Sequence, residues 1–252
     1  MPSNPAKQKT QKSRLDVLLV ERGLAETRQK AQAMLLAGEI RVNGQRADKA
    51  GARVSSNALI EVVGEHQRYA SRGGIKLEGA LEDLGVTASG KISLDVGSST
   101  GGFTDCLLQH GAAKVFAVDV SPEQLAWKLQ QDPRVVQIHR NARELSRDDL
   151  PESPQFITLD VSFISAAKVL PAVASVAAPG AVFLILVKPQ FELDRGDVGK
   201  GGIIRDPKLH ERAVERVRAA AIASGLVVEG VKPSRLTGAE GNQEFFLHAR
   251  RP

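Results

Sequence analysis

Apolar positions follow two different rhythms along the chain. Through the first 65 residues the pieces are short. RLDVLLVERGL, starting at Arg14, spaces its apolar residues for a helix that stops at Gly23. TRQKAQAMLLAG repeats the pattern, with Thr27 or Glu26 as the cap, Ala31, Met34 and Leu35 as the apolar stripe, and Gly38 as the stop. Two strand-like pieces follow, IRVNGQRA and ALIEVV. Asn43-Gly44 inside the first predicts a tight hairpin. A helix-helix-strand module of this size, about 60 residues, folds alone only marginally.

The second rhythm starts at residue 75 with the helical text IKLEGALEDLG. Strand-like runs then alternate with helical ones. The strands are KISLDV, AKVFAVD, RVVQI, FITLDV, AVFLILVK, LVVEGVK and NQEFFLHA; the helices include FTDCLLQHG, PEQLAWKLQ, ISAAKVLPAVASV and PKLHERAVERVRAAAIASG. Such alternation predicts an α/β fold, a mostly parallel sheet covered by helices on both faces. Only PSRLTGAEG separates the last two strands, so the final strand is expected to be antiparallel, at the sheet edge. The expected domains are a disordered tail over 1–13, a small α+β domain over 14–65, a linker over 66–74 (HQRYASRGG), and the α/β domain over 75–252.

Charge sharpens this division. Residues 1–72 carry 13 Lys and Arg against 7 Asp and Glu, whereas the other 180 carry 21 against 22. All the excess positive charge lies in the N-terminal part. A polyanion-binding module and an ordinary solvated surface both fit that asymmetry. The longest apolar run, AVFLILV, is far shorter than a membrane span, and the polar N-terminus does not read as a secretory signal. A single cysteine, Cys106, fits a reducing cytoplasm and reads as a small buried hydrophobe; with five scattered histidines it offers no metal-ligand spacing.

The stretch LDVGSSTGGFTD, from Leu94 to Asp105, joins a strand to a helix through a glycine turn. Gly97-Ser-Ser-Thr-Gly101 fits the hydrolase pattern G-x-S-x-G with Ser99 as nucleophile, but this turn follows the first strand of its domain. A nucleophile elbow needs earlier strands to complete its oxyanion hole. The dinucleotide pattern G-x-G-x-x-G requires glycine where Ser99 stands. S-adenosylmethionine remains. It needs close backbone approach but no pyrophosphate cradle. Asp119, ending the next strand, would bind its ribose, unless it only caps the helix at Pro122; Asn141, after the third strand, would reach adenine. The expected cofactor residues are Asp95, Gly97, Ser98, Ser99, Thr100, Gly101, Gly102, Phe103, Asp119, Val120, Asn141 and Asp160.

Four charged residues fall where a parallel sheet would gather them. Asp160 and Lys188 end strands, Glu244 begins the antiparallel one, and Lys76 lies on the helix before the first strand. A lysine directly after seven apolar residues is costly to bury unpaired.

Lys76, Asp160, Lys188 and Glu244 resemble the Lys-Asp-Lys-Glu tetrad of FtsJ-like ribose 2'-O-methyltransferases. SRGGIKL, DVGSSTGGFTD, LDVSFIS, LVKPQFE and GNQEFF are similar to the TlyA branch of that family, and the text from Arg14 to Gly44 is similar to the alpha-L RNA-binding domain. The resemblance implies a Rossmann-like S-adenosylmethionine-dependent methyltransferase and 2'-O-methylation of ribosomal RNA, at cytidines of the large subunit and in some relatives the small one. Its partners would be ribosomal RNA and ribosomal subunits. A non-catalytic RNA-binding factor on the same fold is the competing expectation. Members of the family have carried a haemolysin label, which no span or strongly amphipathic helix in this sequence supports.

Lysine titrates near 10.4, so a lysine base must be lowered by burial or a neighbouring cation. Lys188 is expected to activate the 2'-hydroxyl, with Lys76 beside it and Asp160 and Glu244 orienting the amines. Arg14, Arg28, Lys30 and Arg41 are expected on RNA phosphates, with Asn43 and Arg72 as further RNA contacts.

Overall fold

Glycine and threonine bound the first helices where the sequence places them. In the computed structural model, which describes residues 12–25, 27–62, 68–194, 196–199, 201–238 and 240–252, the chain forms two units, Met1–Gln67 and Arg68–Pro252.

In the first unit, β1 (Lys12–Arg14) leads into α1 (Leu15–Glu21) and then α2 (Arg28–Ala37). Thr27 caps α2 by accepting from the Lys30 backbone N–H at 3.1 Å, and Gly38 ends it at φ 74°. Glu26, the alternative cap, lies outside the described residues. β2 (Ile40–Val42) and β3 (Gln45–Arg46) form the predicted hairpin, with positive φ at Asn43 (50°) and Gly44 (79°). Both values belong to the turn that matches strand twist. β4 (Arg53–Ser55) pairs with β1, and β5 (Ile60–Val62) with β2. Leu15, Leu19, Ala31, Leu35 and Ile40 form the core.

The expectation of disorder up to residue 13 fails at Lys12 and Ser13, which pair with Ser55 and Val54. Their partner strand lies some forty residues away, and no local pattern reveals it. Residues 1–11 lie outside the described residues.

The second unit opens with α3 (Gly73–Leu84), β6 (Ile92–Val96), α4 (Gly102–Gln109), β7 (Lys114–Asp119), α5 (Trp127–Gln130) and β8 (Val135–His139). It continues with β9 (Phe156–Leu159), α6 (Leu170–Val176), β10 (Val182–Val187), α7 (Pro189–Glu192), α8 (Pro207–Ala223), β11 (Val227–Pro233) and β12 (Phe245–Arg250). The seven strands run β11-β12-β10-β9-β6-β7-β8, parallel except for β12, which is antiparallel to both neighbours. β10 shows how both faces are covered. Val182, Leu184 and Leu186 pack in the same core cluster as Leu77 of α3 and Phe103 of α4. Phe183, Ile185 and Val187 join Val173 of α6 and Val217 of α8 in the other.

Three expectations need correction. The final strand is not at the edge; it inserts between β10 and β11, and β11 is the edge strand. Burial accounts for this. Four successive residues of β12, Phe246 to Ala249, are buried, whereas β11 leaves residues exposed along its length. The segment 66–74 is not merely a linker either. Tyr69 is fully buried against α3, which already begins at Gly73, and a side chain at Gly74 would overlap the Tyr69 ring. His66 and Gln67 lie outside the described residues. Finally, PEQLAWKLQ and ISAAKVLPAVASV each divide into a 3-10 turn and a short helix; Pro171 is tolerated only because it stands in the first turn of α6. Among the described residues, no helix is long and apolar enough to cross a membrane.

Candidate active site

Parallel strands bring their carboxyl ends to one edge, and the site is built there. The turn after β6 has positive φ at Gly97 (84°), Ser99 (47°) and Gly101 (94°). Gly97 and Ser98 both donate backbone N–H groups to the Val118 carbonyl, at 2.9 and 3.2 Å. Asp119 secures the turn from β7: its carboxylate accepts from the Ser99 N–H at 2.9 Å and the Ser121 N–H at 2.9 Å. It therefore bridges two loops instead of simply capping the turn at Pro122.

Two adjoining chambers open beside this turn and share Gly97, Ser99, Asp160 and Ser162. The first, about 230 Å³, is lined by Lys76, Ser98, Phe103 and Lys188 as well. The second, about 470 Å³, adds Asp119, Val120, Asn141, Phe163 and Ile164. An acid at a strand end, an amide and apolar walls suit a nucleoside, so the donor set fits S-adenosylmethionine.

The four charged residues meet as two ion pairs. Lys76 Nζ donates to Glu244 Oε2 at 2.6 Å, with side chains only 12% and 3% exposed. Lys188 Nζ lies 2.5 Å from Asp160 Oδ1 and donates to Ser162 Oγ at 2.8 Å. Strand register explains the convergence. Ile185 stands opposite Leu159, and Val187 opposite Phe245, so Asp160, Lys188 and Glu244 all emerge at one end of the sheet. Buried charges of this kind are tolerated only in pairs, and removing one partner strands the other.

Asp95 does not line either chamber. It is fully buried beneath the turn, accepting from Thr104 Oγ1 at 2.7 Å and Thr158 Oγ1 at 2.9 Å. It fastens α4 and β9 to β6. Burial pushes its carboxyl up to about 6, against the pull of those hydroxyls. Raised from its ordinary value of 3.8, this group adds stability that is complete below about pH 4 and is lost as pH rises through 6. Asp95→Asn keeps hydrogen bonding to both threonines without the charge. Relative to that variant, the wild type is expected to lose up to about 3 kcal/mol of stability between pH 4 and 7. Denaturant unfolding across that range measures the difference, and a pH-independent difference would contradict the assignment.

Among the other expected residues, Thr100 and Gly102 line the first chamber, whereas Gly101 lines neither and packs against Leu125 and Leu129. Arg72 also lines the first chamber. Asn141 accepts from the Arg143 N–H at 3.1 Å, so its carbonyl is partly engaged. In the first unit, Arg14 and Arg28 are exposed but tied to the buried Asp16 at 3.0 and 2.9 Å. The Arg14 hydrogen bonds hold Asp16 well below the usual carboxylate range. Lys30 and Arg41 are exposed, and Asn43 Oδ1 accepts from the Leu59 N–H at 3.0 Å, which locks the hairpin. Sequence reasoning missed Ser71, Arg140, Ser162, Phe163, Ile164 and Thr237 as lining residues. Phe163 is the most distinctive: 93% exposed, at φ 64°, beside Phe191. Its only sequence signal was its place inside LDVSFIS. Among the described residues, no group of three or more His, Cys, Asp or Glu is placed to hold a metal ion.

The chain is similar to known proteins along most of its length. The pattern of FtsJ-like methyltransferases matches residues 69–251, and that of the S4 domain matches residues 13–60. The Bacillus subtilis protein YqxC is 49% identical over 245 residues, covering 96% of this chain and 87% of its own. The 16S/23S rRNA (cytidine-2'-O)-methyltransferase TlyA of Mycobacterium tuberculosis is 45% identical over 241 residues, covering 95% and 90%. A solved structure from Streptococcus thermophilus that bears a hemolysin name is 42% identical, with a TM-score of 0.74, covering 96% of this chain and 89% of its own. The chain belongs to the TlyA family of FtsJ-like methyltransferases, with an S4 domain ahead of the methyltransferase domain.

Proposed function

We propose that this protein methylates the 2'-hydroxyl of a cytidine in ribosomal RNA, using S-adenosylmethionine, on the large ribosomal subunit and, as in the Mycobacterium relative, on the small one. The observation that carries this reading is the pair of lysine-carboxylate contacts whose lysines line the smaller chamber, which adjoins a nucleoside-sized one. When bound, the cofactor supplies a methyl group already activated by its sulfonium. Asp119 would hold its ribose, Asn141 would meet its adenine, and Val120 and Ile164 would form the apolar walls.

The chain's own task is then alignment and proton removal. Lys188 takes the proton from the 2'-oxygen, with Asp160 and Ser162 fixing the amine. Lys76, held by Glu244, and Arg72 face the same chamber and receive the adjacent phosphate. Phe163 offers an exposed ring on which an unstacked base can lie. In the S4 domain, Lys30 and Arg41 contact phosphates directly, while Arg14 and Arg28 do so from the geometry Asp16 imposes. Asn43 acts there through the hairpin it locks. Acting on ribosomal RNA, the protein works in the cytoplasm.

The test is transfer of labelled methyl groups from S-adenosylmethionine to unmodified ribosomal subunits, followed by alkaline hydrolysis. Alkali cleaves RNA through the free 2'-oxygen, so the label is expected in alkali-resistant dinucleotides. Label in ordinary mononucleotides would signal base methylation and overturn the reading, and absence of label would favour a binding factor. Binding to a ribosomal RNA fragment is expected to weaken with salt. Arg41→Ala would lower that logarithmic slope by about 1, whereas an unchanged slope would remove Arg41 from the phosphate contacts.

A further inference from the structure

Lys188 has a neighbour that the tetrad does not include. Ser162 lies in the bend between β9 and the 3-10 turn at Ala166, and its hydroxyl accepts from Lys188 Nζ at 2.8 Å. It lines both chambers. The geometry points to Ser162 as a positioning residue that aims the Lys188 amine at the substrate hydroxyl. This rests on the reading of Lys188 as the proton acceptor.

Valence limits where the amine can point. In the form that accepts a proton, a lysine amine has two hydrogens and one lone pair, arranged tetrahedrally. Ser162 Oγ at 2.8 Å accepts one of those hydrogens, whereas Asp160 Oδ1, 2.5 Å away, is in charge contact with the amine without hydrogen-bond geometry. The Ser162 bond is thus the directional hold on the amine, and the side chain, only 11% exposed, has little room to rotate away from it. Asp160 alone would leave the amine free to turn about its last bond, with the lone pair aimed at the substrate only part of the time.

The bend that carries Ser162 is itself held in place. Phe163 adopts φ 64°, a conformation that side-chain-bearing residues avoid unless their surroundings impose it. Glu192 does so. Its buried carboxylate accepts from Ser165 Oγ at 2.5 Å and from the Ala166 N–H at 2.6 Å. Glu192 ends α7, which begins one residue after Lys188. The segment bearing the amine and the bend bearing the hydroxyl are therefore fastened to each other twice, by Glu192 and by the Lys188–Ser162 bond. Ser165, the other hydroxyl of the bend, is consumed by Glu192.

The test uses the full chain, unmodified ribosomal subunits and S-adenosylmethionine, with Ser162→Ala compared with Ser162→Thr. In Ser162→Ala, kcat is expected to fall by about 10- to 100-fold through misorientation of the amine. The subunit KM and the cofactor Kd from calorimetry are expected to stay within about twofold, because an interaction used only in the transition state is lost. Ser162→Thr retains the hydroxyl and is expected to restore kcat. An unchanged kcat in Ser162→Ala, an equal loss in the threonine variant, or a loss confined to cofactor affinity would each overturn the inference. An active Lys188→Ala would instead bring down the reading beneath it; an inactive Lys188→Ala beside a fully active Ser162→Ala brings down this inference alone.

Discussion

Lys188→Ala is expected to lower methyl transfer by roughly 1,000-fold or more while leaving S-adenosylmethionine binding in place. The cofactor chamber is built from β7 and the residues that follow β6, β7, β8 and β9, and none of its lining residues is Lys188. The amine instead reaches the smaller chamber, where Lys76 and Asp160 also open. Removing it leaves the 2'-hydroxyl with no acceptor and Asp160 without its amine partner. Lys188→Arg sharpens the point. Arginine keeps the charge beside Asp160 but cannot give up a proton, so it is expected to be as inactive as alanine. Single-turnover transfer measured beside cofactor calorimetry checks both halves. A substantially active arginine variant would show that Lys188 acts only through its charge.

The second large effect is expected at Gly97. Gly97→Ala should abolish cofactor binding and cost about 2–4 kcal/mol of stability. Two penalties combine. The residue sits at φ 84°, and an added Cβ would overlap the Asp160 carbonyl oxygen and lie 3.0 Å from its carbonyl carbon. Those atoms belong to the backbone at the end of β9 and cannot swing aside as a side chain can. Relief requires the turn and the Asp160 segment to part, which enlarges the chamber floor and pulls Asp160 from Lys188. At Gly101 an added Cβ would instead meet leucine side chains, which can adjust, although its φ of 94° still adds strain. Calorimetry with S-adenosylmethionine and thermal unfolding measure the two consequences of Gly97→Ala. Wild-type affinity in that variant would show that the turn does not cradle the cofactor.

What was legible in the sequence follows from which features are local. Lys188 after seven apolar residues and Asp160 after FITL could be read together, because parallel strands share an edge at their carboxyl ends. The turn glycines were equally plain. The position of β12 was not, since a short loop announces an antiparallel strand without saying which strand lies on its far side. The near-continuous apolar run FFLHA, set against the broken pattern of VVEGVK, already held that information. Asp95 was misplaced for a related reason. Strand alternation puts Asp95 on the opposite face from Leu94 and Val96, under α4, where Thr104 waits for it. Arg14 and Arg28 looked like free cations because nothing in RLD marks Asp16 as buried between them. Phe163 and Ser162 carried no signal beyond their place inside LDVSFIS. A left-handed conformation at a phenylalanine has no sequence signature, and Glu192, which holds their bend, lies some thirty residues away.

Ribosomal RNA from cells with and without this protein, mapped for 2'-O-methylation at nucleotide resolution, tests the central claim most directly. At least one cytidine is expected to lack its 2'-O-methyl group when the protein is absent, regain it with the wild-type chain, and fail to regain it with Lys188→Ala. Identical maps in all four samples would contradict the claim.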